Sequence, residues 1–221
     1  MIVLYTTERE YPYGTLRSTN ASKVKVILEE KRLPYRVERL RPGDLWKKPP
    51  DMLAKHPLGT VPYIDDNGVI VYNSSVINEY LEERYPEPHL RPQDVAGRAR
   101  ARIRENLGDE AVVVGDLPLI WMPWWAKLEE RDTARMEKGR EGLRTRALPY
   151  LEQELAGRDY LCGAFTLADA PYMALAMVLE VDQMPLENFP RVAAYLARLR
   201  GRPSYQSISP RTSLAESAGR Q

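Results

Sequence analysis

The 221-residue chain carries 32 lysines and arginines against 31 aspartates and glutamates, so its formal charge of +1 gives no electrostatic case for a nucleic-acid or membrane partner. A single cysteine excludes an intramolecular disulfide and a cysteine-rich metal site, and we predict no bound metal. The sequence begins without the basic start and long apolar run of a secretory signal and has no stretch of membrane-spanning length, so we expect a soluble cytoplasmic protein.

The N-terminal residues predict a strand, a helix and a second strand. Residues 2–5 form a short apolar run typical of a strand buried on both faces. Ser18 opens a series of capping residues, and residues 23–32 then place apolar side chains at helical spacing, with Lys31 among the charged residues of the opposite face. Residues 35–40 alternate like a strand. Because a helix connects the two strands, we expect them to be parallel.

The segment between the first strand and the first helix, residues 6–17, is predicted to be a loop. It is polar, it contains Pro12 and Gly14, and it shows no sustained period. Tyr11 and Tyr13 lie within it and could cover a pocket.

Residues 56–86 combine a rigid turn, a hairpin and a capped helix. Val61 is a β-branched residue before Pro62 in a turn, a setting in which the peptide bond can be held cis and turn the Val61 backbone outward. Two β-prone runs follow, residues 63–65 and Val69–Tyr72, on either side of an Asn-Gly pair, which is among the strongest hairpin signals. We therefore expect two antiparallel strands.

Asn73 and Ser74 lie where the next helix needs an N-cap. Apolar residues follow them at helical spacing up to Leu81. The two polar side chains and the free amides of the first turn make a small anion-binding site. Taken alone, each feature of this stretch is also explained as an ordinary turn or cap.

The second half of the chain predicts a separate helical domain. The proline-rich residues 84–92 indicate an exposed linker, so we place one domain at residues 1–86, an all-helical domain at residues 93–206 and a flexible polar tail at residues 207–221. A kink or break is expected near residues 116–123, where two prolines interrupt the pattern. The predicted helices span residues 95–127, 133–155, 166–181 and 189–200.

Val61-Pro62, the hairpin after it and Asn73-Ser74 together resemble the N-terminal domain of the glutathione S-transferase superfamily. The resemblance covers residues 1–86 and implies a thioredoxin-like fold in which the Val61 backbone pairs with the cysteinyl amide of glutathione, while Asn73 and Ser74 hold its γ-glutamyl end. Asn73 stands where the family usually has an acidic or longer amide residue. Its side chain is shorter and carries no charge to set against the glutathione ammonium.

Ser18 is the residue that we expect to carry the reaction. A hydroxyl donor at a helix N-terminus stabilises a thiolate by hydrogen bonding and by the helix dipole, without losing its own proton. Residues 18–24 also resemble the run found at this place in serine-type, bacterial-like members; thiol-transfer members carry a cysteine there, so the resemblance favours conjugation over disulfide exchange. The alternatives are that Ser18 is an ordinary N-cap, or that Tyr5, Tyr11 or Tyr13 supplies the hydroxyl instead.

Trp121, Trp124 and Trp125 form an aromatic group in the helical half. With Tyr11 and Tyr13 they could line an apolar pocket for a second substrate, and packing in a core or a subunit interface explains them as well.

Three further patterns are interpreted as structural. Thr166 and Asp169 have the spacing of a capping box, and they resemble the element that opens the core helix of the family's C-terminal domain. His56 and His89 lie in proline-flanked loops without a metal-binding pattern and are predicted to be exposed. A set of alternating arginines should spread around its helix, explained by a solvated face and by salt bridges to partners; these are Arg98, Arg100, Arg102 and Arg104.

The sequence patterns predict an α/β N-terminal domain followed by an all-α C-terminal domain, and the resemblance implies a thioredoxin-like fold for the first and a glutathione transferase that acts in detoxification. Glutathione is the expected cosubstrate, and its thiolate would attack a hydrophobic electrophile in conjugation or in related ether cleavage, dehalogenation or isomerisation. The resemblance also implies a homodimer. The alternative is a noncatalytic interaction or regulatory protein of the same fold, which Asn73 and the late position of Ser18 favour.

Overall fold

A computed structural model describes residues 1–11, 14–41 and 43–210 of the chain. These residues divide into two compact units, Met1–Pro88 with the residues from Gln206 onward, and His89–Tyr205. The first is built on a β-sheet and the second is helical. Within the described ranges, no helix is both long enough and apolar enough to cross a membrane.

The first unit is organised around a four-stranded sheet. In chain order its elements are β1 (Ile2–Thr6), β2 (Glu8–Tyr11), β3 (Gly14–Arg17), α1 (Thr19–Glu30), β4 (Tyr35–Arg39), α2 (Asp44–Lys47), α3 (Pro50–Lys55), β5 (Tyr63–Asp66), β6 (Val69–Tyr72) and α4 (Ser74–Arg84). The main sheet has the order β4-β1-β5-β6, with β1 parallel to β4 and the other two pairs antiparallel. The predicted thioredoxin-like arrangement is confirmed.

Local sequence explains the central elements of this sheet. The apolar run of β1 is buried, as expected for a strand with neighbours on both sides. The turn between β5 and β6 places Asn67 and Gly68 at φ angles of 52° and 95°, the left-handed values that a two-residue hairpin turn requires. The predicted hairpin is therefore confirmed.

The predicted loop at residues 6–17 is wrong, because β2 and β3 form an antiparallel hairpin with Glu8 opposite Arg17. The Glu8 side chain is only 4% exposed and accepts hydrogen bonds from Arg17 at 3.3 Å and from Arg39 at 2.7 Å, with the Lys25 ammonium 3.8 Å away. Burial alone would raise the pKa of this carboxyl, but the cations around it outweigh burial and lower the pKa. Because ion pairs and not an apolar face stabilise this hairpin, its sequence lacks the alternating apolar pattern from which strands are predicted.

Helices α1 and α4 pack against each other, and a buried ion pair joins them. Lys31, predicted on the solvent face, is buried instead, and its Nζ lies 2.6 Å from the Glu82 carboxylate, with neither side chain exposed. The ammonium also donates to the carbonyls of Tyr85 at 2.8 Å and Pro88 at 3.0 Å. The sequence could not reveal this burial, because the partners lie on another helix.

The second unit is helical, as predicted. Its elements are α5 (Val95–Leu107), a π-helical stretch (Gly108–Asp116), α6 (Leu117–Trp121), α7 (Thr133–Gly142), a second π-helical stretch (Leu143–Ala147), α8 (Leu148–Glu154), α9 (Ala170–Asp182) and α10 (Pro190–Arg200), with 3₁₀ turns at Met122–Trp125, Leu128–Glu130, Leu167–Asp169 and Pro203–Ser207. Near the expected kink or break the hydrogen-bonding pattern changes from π to α at Leu117 and to 3₁₀ at Met122, but the backbone at both positions stays right-handed helical and becomes extended only at Ala126. Pro118 and Pro123 lack the amide that a continuous helix needs.

The core of the second unit centres on α9, which Asp169 anchors. The predicted capping box is confirmed, since the Thr166 amide donates to the Asp169 carboxylate at 2.8 Å. The Tyr195 hydroxyl, at 2.8 Å, and the Leu161 amide, at 3.2 Å, donate to the other carboxylate oxygen. The carboxylate is fully buried, and burial raises its pKa to about 6.

The predicted flexible tail begins within a packed segment of the structure. Ile208 is fully buried and Ser209 is 6% exposed. One nitrogen of Arg17 donates to the carbonyls of both, at 3.3 Å and 3.1 Å. This side chain therefore fixes the start of the segment to β3, whereas residues 211–221 lie outside the described residues.

Candidate functional site

The strand register brings the predicted glutathione-binding residues to one edge of the sheet. Tyr63, the first residue of β5, pairs with Tyr5 near the end of β1 and with Tyr72 at the end of β6. Whatever precedes β5 and whatever follows β1 and β6 must therefore lie at that edge. Pro62 precedes Tyr63, and Asn73 follows Tyr72.

The peptide bond between Val61 and Pro62 is cis, as predicted. Pro62 is buried and Val61 is half-buried at the entrance to β5. The loop before it is held by His56, whose ring accepts a hydrogen bond at Nδ1 from the Leu58 amide at 3.2 Å and has Nε2 2.9 Å from the Thr60 hydroxyl.

His56 was predicted to be exposed, and that prediction is wrong, because the residue is 4% exposed. Its ring packs against Tyr72 with ring centres 4.6 Å apart and meets the edge of Tyr63 at 6.3 Å. Burial lowers the pKa of His56, and the nearby charge of Lys48 adds to the effect, so the ring is neutral near pH 7. With Nδ1 accepting, the proton lies on Nε2 and is donated to Thr60. His89, by contrast, is exposed as predicted.

Asn73 and Ser74 open α4, as predicted. Asn73 is the N-cap at a φ of 71°, and its side-chain oxygen accepts from the Ser75 amide at 3.2 Å. Ser74 is 5% exposed, and its hydroxyl donates to the Asn20 side chain at 3.2 Å. The backbone amides of a helix's first turn have no carbonyl partner within the helix, and this turn lies at the edge described above.

Lys23 is a site residue that the sequence did not identify. It is fully buried, and its Nζ donates to the hydroxyls of Ser74 at 3.0 Å and Ser75 at 3.3 Å. These bonds join the N-terminal half of α1 to the first turn of α4, so a buried positive charge lies beside the N-terminus of α4. The only available signal was its place in residues 18–24, the run that carried the family resemblance.

Ser18 is the N-cap of α1. Its hydroxyl oxygen accepts from the Ala21 amide at 3.3 Å, and its own amide donates to the Thr7 carbonyl at 3.2 Å, just past the end of β1. The residue is half-buried at the same edge of the sheet as Pro62. A hydroxyl that accepts a capping bond keeps its proton for donation to another group, so the capping role and the predicted role are compatible.

The structure describes only some of the other residues predicted to supply a hydroxyl or to line a pocket. The Tyr5 ring stacks on Tyr63 at 4.4 Å, and its hydroxyl accepts from Lys55 at 2.8 Å. Trp121 is 3% exposed in the second unit. Tyr13 and the side chains of Tyr11 and Trp125 lie outside what the structure describes, so the second-substrate pocket stays a prediction. Across the described residues, no group of acidic, histidine and cysteine side chains could hold a metal ion.

Comparison with known proteins agrees with this geometry. Residues 13–89 match the family model of the glutathione S-transferase N-terminal domain, and residues 114–203 match that of the C-terminal domain. The chain belongs to the glutathione S-transferase superfamily.

The relatives of this chain include proteins named as transferases and one named for its localisation with FtsZ. The chain is 31% identical to glutathione S-transferase U6 of Arabidopsis thaliana, over 85% of this chain and 82% of the relative. It is 29% identical to FtsZ-localized protein A of Caulobacter vibrioides, over 84% of each chain. Among solved structures, the theta class glutathione S-transferase of Xanthomonas axonopodis pv. citri with glutathione bound has a TM-score of 0.77 and 26% identity, covering 94% of this chain and 96% of the other.

Proposed function

We propose that the chain is a glutathione transferase that binds glutathione along the sheet edge and activates its thiol. The Val61 backbone pairs with the cysteinyl amide, Asn73 and Ser74 bind the γ-glutamyl end, and the Ser18 hydroxyl donates to the sulfur. The observation that supports this most is the strand register, which brings the cis bond before β5, the N-terminus of α4 and the N-cap of α1 to one edge.

Charge at this edge favours an anionic ligand. Two helix N-termini present their dipoles there, and the buried Lys23 ammonium lies beside the first turn of α4. The γ-glutamyl carboxylate would compete with Asn20 for the hydroxyl proton of Ser74 and would accept from the first-turn amides.

The chemical step follows from the position of Ser18. Its hydroxyl and the α1 dipole stabilise the thiolate, so the thiol loses its proton to solvent near neutral pH while Ser18 keeps its own. The sulfur then attacks an electrophilic carbon, forms a carbon–sulfur bond and expels a leaving group in conjugation; ether cleavage, dehalogenation and isomerisation use the same thiolate. Tyr11 and Tyr13 remain a proposed lining for the hydrophobic second substrate, whereas Trp121, only 3% exposed, packs in the core of the second unit.

Turnover with a chlorodinitrobenzene electrophile tests this role for Ser18. We expect Ser18→Ala to lower kcat/KM by about tenfold to a hundredfold and to move the pH–rate profile toward higher pH, because the bound thiol loses a donor to its anion. Ser18→Thr keeps the hydroxyl and the cap and should retain most activity. A merely structural cap would lower stability without moving the pH profile, and an unmoved profile in Ser18→Ala would contradict the assignment.

We also propose a cytoplasmic homodimer. In support, several apolar side chains are exposed in each unit, including Val76 at 55% and Ile103 at 58%. Burial of such residues between two copies would remove apolar area from water. Sedimentation equilibrium should give twice the chain mass of 25.4 kDa, and a concentration-independent monomer would contradict the proposal.

A noncatalytic interaction protein is the second candidate. The Asn73 side-chain oxygen is already used to cap the Ser75 amide, and one relative of similar length is an FtsZ-localized protein. This candidate predicts no saturable glutathione binding by calorimetry and no turnover with any electrophile, whereas the transferase predicts both.

A further inference from the structure

The second unit contains a basic cavity that the transferase reaction does not use. It has a volume of about 250 Å³ and lies between the first turns of α5, the end of α8 and the loop that follows. Three arginines line it, Arg100, Arg104 and Arg158, together with Cys162 and Asp94.

The placement of these arginines adds to the sequence interpretation. The alternating basic residues of α5 were predicted to form a solvated face with salt bridges to partners, and Arg100 pairs with Asp94 while Arg104 pairs with Glu154. Arg100 and Arg104 are also four residues apart and therefore share one side of the helix. Arg158 faces them from beyond the end of α8. The fold thus gathers three guanidinium groups around one space.

The charges in this space are not balanced. Glu154 accepts from Nε of Arg104 at 2.8 Å and lies 3.6 Å from Arg158, which also donates to the Glu154 carbonyl at 2.9 Å. Asp94 is 3.9 Å from Arg100, but its oxygen already accepts the Gly97 amide at 2.7 Å as the N-cap of α5. Two carboxylates therefore face three guanidinium groups.

The arginines lie at different depths. The Arg104 side chain is 13% exposed, whereas those of Arg158 and Arg100 are 44% and 60% exposed. Burial disfavours the charged form of Arg104, but the hydrogen bond to Glu154, the charge of Glu154 and smaller contributions from Cys162 together outweigh burial and raise the pKa of Arg104. One charged guanidinium thus lies on the floor and two lie at the rim.

We propose that this cavity binds a small oxyanion, the phosphate or carboxylate group of a metabolite. Guanidinium groups present planar pairs of donors that match the two oxygens of such a group, and a site built from several arginines is suited to a charge of minus two. The excess positive charge supplies the attraction, and the volume admits a phosphate or a short dicarboxylate. The proposal is independent of glutathione binding in the first unit.

Cys162 provides a reporter for occupancy. It is the single cysteine of the chain, it is partly exposed, and it lines the cavity, so alkylation by the neutral reagent N-ethylmaleimide measures access to this site alone. Inorganic phosphate and succinate are titrated separately, with sodium chloride matching the ionic strength. We expect saturable slowing of alkylation and matching binding heat by calorimetry, and the tighter of the two probes identifies the preferred group.

Substitutions in the cavity test which side chains are responsible. We expect the affinity for the probe to fall by about tenfold in Arg100→Gln and in Arg158→Gln, because each substitution removes one charge-assisted pair of donors. Arg158→Lys keeps the charge but loses the paired donors of the guanidinium. Its affinity for the probe should lie between that of the wild type and that of Arg158→Gln. Arg102→Gln is the matched control, since it makes the same change on the exposed side of the same helix and should leave binding unchanged.

Thermal unfolding of each variant confirms that the fold is retained. Protection that saturates in the wild type, is weakened in both cavity variants and is kept in Arg102→Gln supports the proposal. The proposal is overturned if chloride alone gives the same protection or if neither probe protects Cys162. It is also overturned if Arg102→Gln weakens protection as much as the cavity variants do.

Discussion

At the scale of single residues, the candidate site depends on polar side chains at two helix N-termini. Ser18 caps α1 and Asn73 caps α4, and each has a hydrogen-bonding function in the fold before any ligand is present. Ser18 keeps a donor proton in that role, whereas Asn73 has its side-chain oxygen occupied by the Ser75 amide. Affinity for glutathione should therefore be more sensitive to the residue at position 73 than to the cap at position 18.

Lengthening and charging the side chain at position 73 should tighten glutathione binding. Asn73→Gln adds only reach, so we expect a small gain in affinity for glutathione. Asn73→Glu adds reach and a charge that can pair with the ligand ammonium, so we expect about a tenfold gain in affinity, measured by calorimetry. Both variants place a longer side chain at a φ of 71° and should lose about 1 kcal/mol of stability. Equal affinities for the two variants would contradict a role for charge at this position.

Residues with local signals were predictable, and residues that depend on packing were not. Capping patterns, the Val-Pro turn and the Asn-Gly pair identify Ser18, Pro62 and Ser74 from neighbours in sequence. The buried positions of His56 and Lys23 are set by partners on other elements, which the sequence does not show.

At the scale of elements, α1 and α4 are joined by the buried pair of Lys31 and Glu82. Burying two charges is costly, so a pair with neither side chain exposed persists only with close geometry and further hydrogen bonds, here to two carbonyls. Removing one partner leaves the other charge in a low-dielectric environment.

A double-mutant cycle measures the coupling between these helices. We expect Lys31→Met to lower the free energy of unfolding by about 3 to 5 kcal/mol, and the double variant Lys31→Met with Glu82→Leu to be more stable than Lys31→Met alone. Urea denaturation gives both values. Additive losses in the double variant would show that the two charges do not depend on each other.

The capping carboxylate of α9 should give the second unit a characteristic pH dependence. Burial raises the pKa of Asp169 to about 6 in the folded chain, against about 4 when unfolded. Between these values the folded state binds more protons than the unfolded state, so this group makes the chain less stable as pH rises from about 4 to about 6, by about 3 kcal/mol in total.

Asp169→Asn isolates this contribution, because the variant lacks the titrating group while the other groups are unchanged. Unfolding free energies of both proteins at several pH values should show the wild type losing stability relative to the variant as pH rises through that window. A difference that is constant with pH, or that changes in the opposite direction, would contradict the raised pKa.

At the scale of the whole molecule, the sequence predicted the succession of a thioredoxin-like and a helical part, because strand runs, a hairpin turn and capped helices each have local periods. It missed the β2–β3 hairpin, which is held by charges around Glu8 instead of an apolar face. It also missed the basic cavity, since Arg158 meets Arg100 and Arg104 only after the second unit has folded.

Glutathione binding at one edge of the sheet is tested most directly by a calorimetric titration. The wild-type chain should bind glutathione saturably, Ser74→Ala should weaken binding by about tenfold, and the matched variant Ser75→Ala should remain within about threefold of the wild type. A wild-type chain that gives no saturable heat, or a Ser74→Ala variant that binds as the wild type does, would contradict the account.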